Sequence, residues 1–155
     1  MSDAAFRVAL ADWSHDHRAL RDIRAAVFID EQHVPVELEW DGLDERCVHV
    51  LARDADDQPI GTARMNAEYV IGRMAVVRAW RGHGVGAAML RTLIECARTR
   101  QATRVTLHAQ THAAGFYRRF GFVAHGEPFM EAGIRHCLMH FDLASVSPVT
   151  AAKTP

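Results

Sequence analysis

The sequence has few of the features that mark secreted, membrane-bound or nucleic-acid-binding proteins. Its three cysteines, Cys47, Cys96 and Cys137, are far apart and form no disulfide pattern, which predicts reduced thiols and a cytoplasmic location. The formal net charge is -1 with histidines neutral, so we expect no nucleic-acid partner. The chain has no signal-peptide pattern, no apolar run as long as a membrane span and no internal repeat, and we therefore expect no membrane association.

The length and composition of the chain are those of one folded domain. The chain has 155 residues, of which 49% are hydrophobic, which is enough for a single core of sizeable volume. We expect this domain to cover residues 1–145. Residues 146–155 are small, polar and proline-bearing, so we expect them to form a disordered tail.

Hydrophobic periodicity predicts the order of strands and helices. Strands are expected at residues 6–10, 48–53, 60–66, 69–77, 104–109, 122–126 and 134–143, and helices from about 15 to 30, 85 to 99 and 113 to 120. Ser14 or Asp16 is expected to cap the first helix. Turns join the early strands and helices join the later ones, which predicts antiparallel pairing with one parallel pair. The predicted class is α/β (α+β), a mixed sheet of six or seven strands with helices on both faces.

One segment passes from a strand to a helix through a glycine-rich turn, Arg81-Gly82-His83-Gly84-Val85-Gly86. Glycine allows the backbone to approach a ligand closely, and the free N–H groups at a helix start attract anions. Arg81 can add a charged fork for a phosphate. The segment therefore predicts a pyrophosphate site, and the alternative is a tight turn without a ligand.

Two other ligand types fit the sequence less well. The spacing Gly82-x-Gly84-x-x-Ala87 fits a relaxed dinucleotide fingerprint, but no carboxylate follows in residues 105–110, where that fingerprint expects one. His136 and His140 fall on a predicted strand, where four residues span about 13 Å, so they cannot share a metal ion. No cysteine pair or carboxylate stands at ligand spacing from His108 and His112, and we expect no metal.

The glycine segment, which follows a Met-x-Val strand, resembles the coenzyme A loop of the GNAT acyltransferase superfamily. A second block, Ala113-x-x-Phe116-Tyr117-x-x-Phe120-Gly121-Phe122, is similar to a helix-turn-strand segment of the same family. The resemblance implies the GNAT fold, in which two strands splay apart to admit a thioester, and it implies acetyl-CoA or coenzyme A as the cofactor. The implied cofactor-binding residues are Met74, Ala75, Val76, Arg81, Gly82, His83, Gly84, Val85, Gly86, Gln110 and Tyr117.

The resemblance also implies two catalytic groups near the thioester. Tyr117 occupies the position of the family's general acid, or of a hydrogen-bond donor to sulfur; the alternative is a tyrosine packed in the core. The backbone N–H of Val76 would stabilise the oxyanion, which requires the sheet to open at this residue because ordinary strand pairing would consume the amide.

An acidic stretch, residues 31–45, follows the first helix and is expected to be a loop with at most one helical turn. An amine with a pKa near 10.4 is neutral in roughly one of 2,500 molecules at pH 7, so carboxylates could attract the cation and remove its proton. Glu31 is our expected base, with Glu39 as its rival; the alternative is a solvated acidic loop. The predicted acceptor-binding residues are Glu31, Glu39, Asp41, Asp44 and His136.

Further segments narrow the resemblance to the ElaA-like subgroup of acyltransferases. They run from Arg24 through Asp44 and include Gly72-Arg73-Met74-Ala75-Val76, His108-Ala109-Gln110 and Glu131-x-Gly133-Ile134-x-His136. Gln110 departs from the asparagine that many superfamily members carry. The expected function is an N-acyltransferase that acetylates an amine of a small molecule or peptide in a ternary complex.

Two alternative functions stay open at this point. One is a regulatory domain that binds coenzyme A without turnover. The other is acyl transfer of the acyl-homoserine-lactone synthase type, since Arg24 and Phe28 with the downstream aspartates resemble those relatives. A homodimer is a further partner that the sequence leaves open.

Overall fold

A computed structural model describes residues 5–143. The predicted tail, residues 146–155, and the outermost residues of the predicted domain lie outside the described residues. The strands are β1 (Phe6–Ala11), β2 (Val48–Asp54), β3 (Pro59–Met65), β4 (Val70–Val76), β5 (Arg104–Gln110), β6 (Val123–Glu131) and β7 (Ile134–Asp142). The α-helices are α1 (Trp13–Arg24), α2 (Val36–Glu39), α3 (Val85–Thr99) and α4 (Ala114–Arg119). Single 3-10 turns cover Asp44–Arg46, Arg78–Trp80 and Thr111–Ala113.

All seven strands form one mixed sheet. Their order is β1-β2-β3-β4-β5-β7-β6, and the pairing is antiparallel throughout except between β4 and β5. The long connection through α3 allows this one parallel pair, because a parallel partner needs a crossover. The predicted class, strand number and single parallel pair are therefore confirmed.

Two apolar layers cover the two faces of the sheet. The larger layer includes α3, whose residues Val85, Met89, Leu90, Leu93, Ile94 and Ala97 are all buried, as their helical spacing predicts. The smaller layer lies on the other face and contains Leu20, Ile23, Val27 and Phe28. Truncating a fully buried leucine such as Leu90 to alanine typically costs about 2–5 kcal/mol, so the α3 layer contributes much of the stability.

The first helix differs from the sequence prediction at both ends. Its cap is Asp12, whose side chain accepts a hydrogen bond from the Ser14 amide, so the expectation of Ser14 or Asp16 is wrong. The helix then widens into a π-helical segment, Ala25–Glu31. Such segments often occur at functional sites, and this one carries Phe28 to the cleft described below. In the described part of the chain, no helix is both long and apolar enough to cross a membrane.

Candidate active site

The site is centred on a fork in the sheet, where β4 and β5 separate. The two strands pair only at Val70 with Thr106 and at Ile71 with Leu107. Just beyond, β4 contains a bulge opposite β3, and its residue Arg73 has a φ of +52°. A bulge bends its strand and interrupts the ladder, so β4 turns away from β5 and opens the sheet.

The backbone of Val76 faces the open side of this fork. The next amide, that of Val77, donates to the Ile60 carbonyl at 3.0 Å and so points toward β3. Successive amides of a strand point in opposite directions, which directs the Val76 N–H away from β3. The Val76 carbonyl shares that direction and accepts a hydrogen bond from Arg81 Nε at 2.9 Å. The opening that the sequence argument required at Val76 is therefore present.

The glycine turn lies directly beyond β4. Gly82 and Gly84 have φ values of +82° and +85°, and a Cβ on either would meet no atom within 4 Å. No side chain caps the start of α3, which begins at Val85. Its first amides are therefore available for a ligand. The Val85 side chain is buried, so only its backbone can take part.

These features fit a diphosphate. Glycines in the left-handed region let the backbone approach the ligand, and the amides at the start of a 15-residue helix point toward it. Arg81 is 43% exposed and stands at the same turn. His83 packs its ring against Trp80, with centroids 5.4 Å apart.

Tyr117 reaches the fork from α4 on the α3 side of the sheet. Its hydroxyl lies 3.5 Å from Met74 Sδ on β4, and its ring packs edge-on against Phe116 and Phe122. Burial raises the pKa of Tyr117 to about 12. The hydroxyl is therefore a hydrogen-bond donor at neutral pH. Complete proton transfer to a thiolate with a pKa near 8.5 is strongly uphill from this value.

The fork opens into a cleft of about 450 Å³. The cleft brings together six of the residues predicted for the site: Met74, Glu39, Asp41, Gln110, Tyr117 and His136. Gln110 exchanges side-chain hydrogen bonds with Gln32 across the cleft. Glu31, Asp44 and the glycine turn do not line this cleft.

Four carboxylates of the acidic stretch, Glu31, Glu39, Asp41 and Asp44, are paired with arginines. Arg24 donates to Glu39 and to Asp44, each at 2.6 Å. Arg64 donates to Asp44 at 2.7 Å and also to Asp41. These residues, together with Arg73, form what we call the inner cluster: Arg24, Arg64, Arg73, Glu39, Asp41 and Asp44. Its three formal positive charges balance its three negative ones.

The inner cluster changes the ionisation of Asp41. Burial by itself raises the pKa of this carboxyl group, but the Arg64 hydrogen bond, the Leu43 amide and the charges of Arg64 and Arg73 outweigh it and lower the pKa from 3.8 to about 2. A carboxylate held in this way is a poor proton acceptor near neutral pH. Glu39 is buried and also lies 3.3 Å from Arg73 Nε.

Glu31 lies at a second, exposed set of ion pairs, which we call the outer cluster: Glu31, Arg78 and Arg81. Its two oxygens accept hydrogen bonds from Arg81 at 2.8 Å and from Arg78 at 3.0 Å. The Arg81 hydrogen bond lowers the pKa of Glu31 against the opposing effect of partial burial, and Arg78 adds to the decrease. This placement gives no support to Glu31 as a base, since the residue faces the glycine turn rather than the cleft.

Sequence reasoning assigned no role to two cleft residues that form a hydrogen-bonded pair. His108 Nδ1 lies 2.9 Å from Glu131 Oε1, and both line the cleft. One signal for His108 was available, since it alternates along β5 with the buried Leu107 and Ala109. Nothing in the sequence indicated that Glu131, 23 positions away, would contact it. In residues 5–143 no three His, Cys, Asp or Glu side chains form a group that could hold a metal ion.

Comparison with known proteins agrees with this geometry. Residues 15–143 match the family model of the acetyltransferase (GNAT) domain. The chain is 38% identical to YyaT of Bacillus subtilis over 132 residues, 79% of this chain and 86% of that one. It is 34% identical to the N-acetyltransferase YjcF of the same organism over 124 residues, 77% and 88% of the two chains.

Escherichia coli ElaA is related in both sequence and structure. It is 35% identical over 126 residues, 76% of this chain and 82% of ElaA. Its crystal structure covers 89% of this chain and 100% of its own, with a TM-score of 0.78 and 30% sequence identity. The predicted family, the ElaA resemblance and the fold are thereby confirmed. The chain belongs to the GNAT acetyltransferase family and is an N-acetyltransferase.

Proposed function

We propose that the protein transfers an acetyl group from acetyl-CoA to an amine of a small molecule or peptide, by direct attack within a ternary complex. The observation that carries the proposal is the fork between β4 and β5, which lies beside the glycine turn and opens into the cleft. The fork gives a thioester a path into the sheet from one face, and the cleft gives an amine a path from the other. Acetyl-CoA supplies the activated acetyl group.

Residues of β4 and the glycine turn would hold the coenzyme. The amides of the glycine turn, Gly82 to Gly86, would bind the diphosphate, and Arg81 would add a charged contact after exchanging its Glu31 partner. Met74, Ala75 and Val76 would lie along the arm of the coenzyme that leads to sulfur. Val76 would contact this arm through its backbone, because its N–H points away from β3. Gln110 stands on the opposite side of the fork at the end of β5.

Two groups would act on the reacting thioester. The Val76 N–H points into the fork and would stabilise the oxyanion that forms on the acetyl oxygen. The Tyr117 hydroxyl would donate a hydrogen bond to sulfur as negative charge develops there. Because burial raises the pKa of Tyr117 to about 12, we assign it stabilisation of the leaving thiolate rather than complete proton transfer.

The acceptor would enter the cleft from the side of the inner cluster and His136. The cleft contains Arg64 and Arg73 as well as Glu39 and Asp41, so its charges are mixed. The acidic stretch therefore provides no argument for a strongly cationic acceptor, and we restrict the proposal to an amine. His136, Glu39 and Asp41 remain our acceptor-side residues because they line the cleft.

Two measurements test the proposal. Acetyl-CoA should raise the melting temperature of the protein, since a ligand that binds only the native state stabilises it. Thiol should then be released from acetyl-CoA when amines such as spermidine, glucosamine or a short lysine-containing peptide are added. Binding without thiol release over a broad amine panel would support a regulatory domain. A shift with NADH and none with acetyl-CoA would refute the proposal.

A further inference from the structure

The attacking amine must lose a proton in the cleft, and neither arginine-paired cluster offers a free carboxylate to accept it. Leu107 is the last residue of β5 that pairs with β4, so His108 is the first residue beyond the branch point of the fork. Leu107 and Ala109 are buried in the layer on the α3 side. His108 alternates with them and therefore faces the opposite side, toward the cleft.

Two contacts hold the His108 ring. Glu131 Oε1 on β6 lies 2.9 Å from Nδ1. The ring also packs edge-on against Phe129, with centroids 5.2 Å apart and an interplanar angle of 84°. A carboxylate at Nδ1 selects the tautomer that has its proton on Nδ1, which leaves the lone pair on Nε2.

We propose that His108 is the general base that takes the proton of the attacking amine, and that Glu131 is the residue that positions it. This inference rests on the proposed function. His108 and Tyr117 approach the fork from opposite faces of the sheet. One face would thus serve the attacking amine and the other the leaving sulfur.

The step balances with these groups alone. The amine nitrogen of R–NH₂ forms a bond to the acetyl carbon and loses one proton to His108 Nε2. The C–S bond breaks, its electron pair stays on sulfur, and the thiolate is stabilised by the Tyr117 hydroxyl. His108 then gives its proton to solvent, and the released thiolate takes one from solvent.

His136 is the rival base. Its Nδ1 lies 2.7 Å from the Ile134 carbonyl oxygen, which also leaves Nε2 with a lone pair. We favour His108 because a carboxylate stabilises the imidazolium form more than a backbone carbonyl does. The His108 side chain is also 43% exposed, so its proton can reach solvent, whereas His136 is 7% exposed.

Several charged or titratable groups surround His108 in the cleft. They are Glu131 on β6, His136 on β7, Arg73 on β4, Arg64 on β3, Tyr117 on α4, and Glu39 and Asp41 from the acidic stretch. A pH profile alone therefore cannot identify the base, and the ionisation of His108 must be measured directly.

The kinetic test uses the variants His108→Gln, His136→Gln and Glu131→Gln, with the best amine among spermidine, glucosamine and a lysine peptide. His125→Gln, on the exposed part of β6 outside the cleft, is the matched control. We expect His108→Gln to lower kcat/KM at least about 100-fold, as loss of a general base usually does, while the thermal shift given by coenzyme A is unchanged. The control should keep wild-type activity.

The second measurement is nitrogen NMR of the histidine side chains in the complete chain. It should show His108 as the Nδ1-protonated tautomer, and its titration should coincide with the rising limb of kcat/KM against pH. Glu131→Gln should displace the titration of His108 and the limb together, whereas the limb would stay in place if Glu131 acted only on folding or if His108 were not the base. Imidazole added to His108→Ala should restore part of the activity.

Four outcomes overturn the inference. The first is unchanged activity in His108→Gln, and the second is a pH limb of kcat/KM that follows the titration of His136. The third is an unchanged titration of His108 in Glu131→Gln, and the fourth is no recovery of activity when imidazole is added to His108→Ala. A wild-type protein that binds coenzyme A but releases no thiol with any amine would overturn the proposed function itself. If the wild-type protein turns over and His108→Gln is equally active, only the assignment of His108 as the general base is overturned.

Discussion

The inner and outer clusters contain the same chemical groups in opposite environments. In the inner cluster, Arg24 is 1% exposed and contacts Glu39 and Asp44 with side chains that are 3% and 8% exposed. In the outer cluster, the Arg78 and Arg81 side chains are 79% and 43% exposed. A buried ion pair cannot lose one partner without leaving an unpaired charge in the interior. An exposed pair can exchange its partner at little cost.

This difference in burial indicates different roles for the two clusters. The inner cluster ties the acidic stretch to α1, β3 and β4, and so shapes one wall of the cleft. In the outer cluster, Glu31 holds Arg81 beside the glycine turn, and we propose that a diphosphate replaces this carboxylate when coenzyme A binds. We therefore infer that Glu39, Asp41 and Asp44 of the acidic stretch act mainly as structural residues, whereas Glu31 belongs to the cluster where we propose that a ligand exchanges charge.

The largest expected effect comes from breaking the inner cluster. Arg24→Met removes the charge between Glu39 and Asp44 and should lower the free energy of unfolding by about 3–5 kcal/mol, because it leaves the inner cluster with one uncompensated negative charge in the interior. Arg78→Met in the outer cluster is the matched control and should cost less than about 1 kcal/mol. Urea unfolding measures both. Equal losses in the two variants would contradict the distinction between the clusters.

Tyr117 lies in neither cluster and tests the chemistry of the fork between them. Tyr117→Phe keeps the ring and removes the hydroxyl, so kcat should fall by about 100-fold, the lower end of the range for loss of a general acid, when the donor to sulfur is lost. The affinity for coenzyme A should stay nearly the same. Steady-state kinetics and calorimetric titration measure the two quantities. Wild-type kcat in the variant would show that the tyrosine is only a packing residue.

The glycine turn adjoins the outer cluster, and a substitution there should change the affinity for coenzyme A. Gly84→Val places a branched side chain where the diphosphate is expected, and we expect coenzyme A to bind at least about tenfold more weakly. Valine at a φ of +85° is also strained. Gly126→Val is the matched control, since Gly126 has a φ of +81° with open space around its Cβ and lies on β6. Equal binding by both variants would place the diphosphate elsewhere.

The inner cluster should also make stability depend on pH. Because the pKa of Asp41 is lowered from 3.8 to about 2 in the folded protein, its contribution is complete above pH 3.8 and is lost as the pH falls toward 2. After allowance for solvent screening, we expect about 1 kcal/mol from this residue. Asp41→Asn should remove that part of the acid dependence of urea unfolding. Asp22→Asn on the exposed face of α1 is the control, and an unchanged slope in Asp41→Asn would refute the assignment.

The smallest expected effect concerns Glu31. Glu31→Gln removes the carboxylate that competes with a diphosphate for Arg78 and Arg81, so the affinity for coenzyme A should rise severalfold at most. The free energy of unfolding should change little, as for other exposed pairs. Calorimetric titration at low and high salt measures the affinity. A loss of kcat/KM of about 100-fold with a lost pH limb would instead make Glu31 the base.

Local patterns in the sequence predicted most of the fold. Alternation identified the strands, and helical spacing in α3 identified its buried residues. The spacing of glycines after a strand predicted the turn that the structure shows at Gly82 and Gly84. The prediction was weaker where backbone geometry is irregular. The π-helical segment after Arg24 and the bulge at Arg73 have no simple periodicity, and the cap at Asp12 was missed in favour of its neighbours.

By itself the sequence determined the order of elements, the glycine turn and the position of Tyr117, because each depends on residues close together in the chain. Only the tertiary structure decided which charged groups meet. Arg24 contacts carboxylates 15 and 20 positions away, Arg81 pairs with Glu31 across 50 positions, and His108 meets Glu131 across 23. An acidic stretch looks the same in a sequence whether its charges face solvent or buried arginines. The folded chain decides between the two, because ion pairing depends on distance in space and on burial.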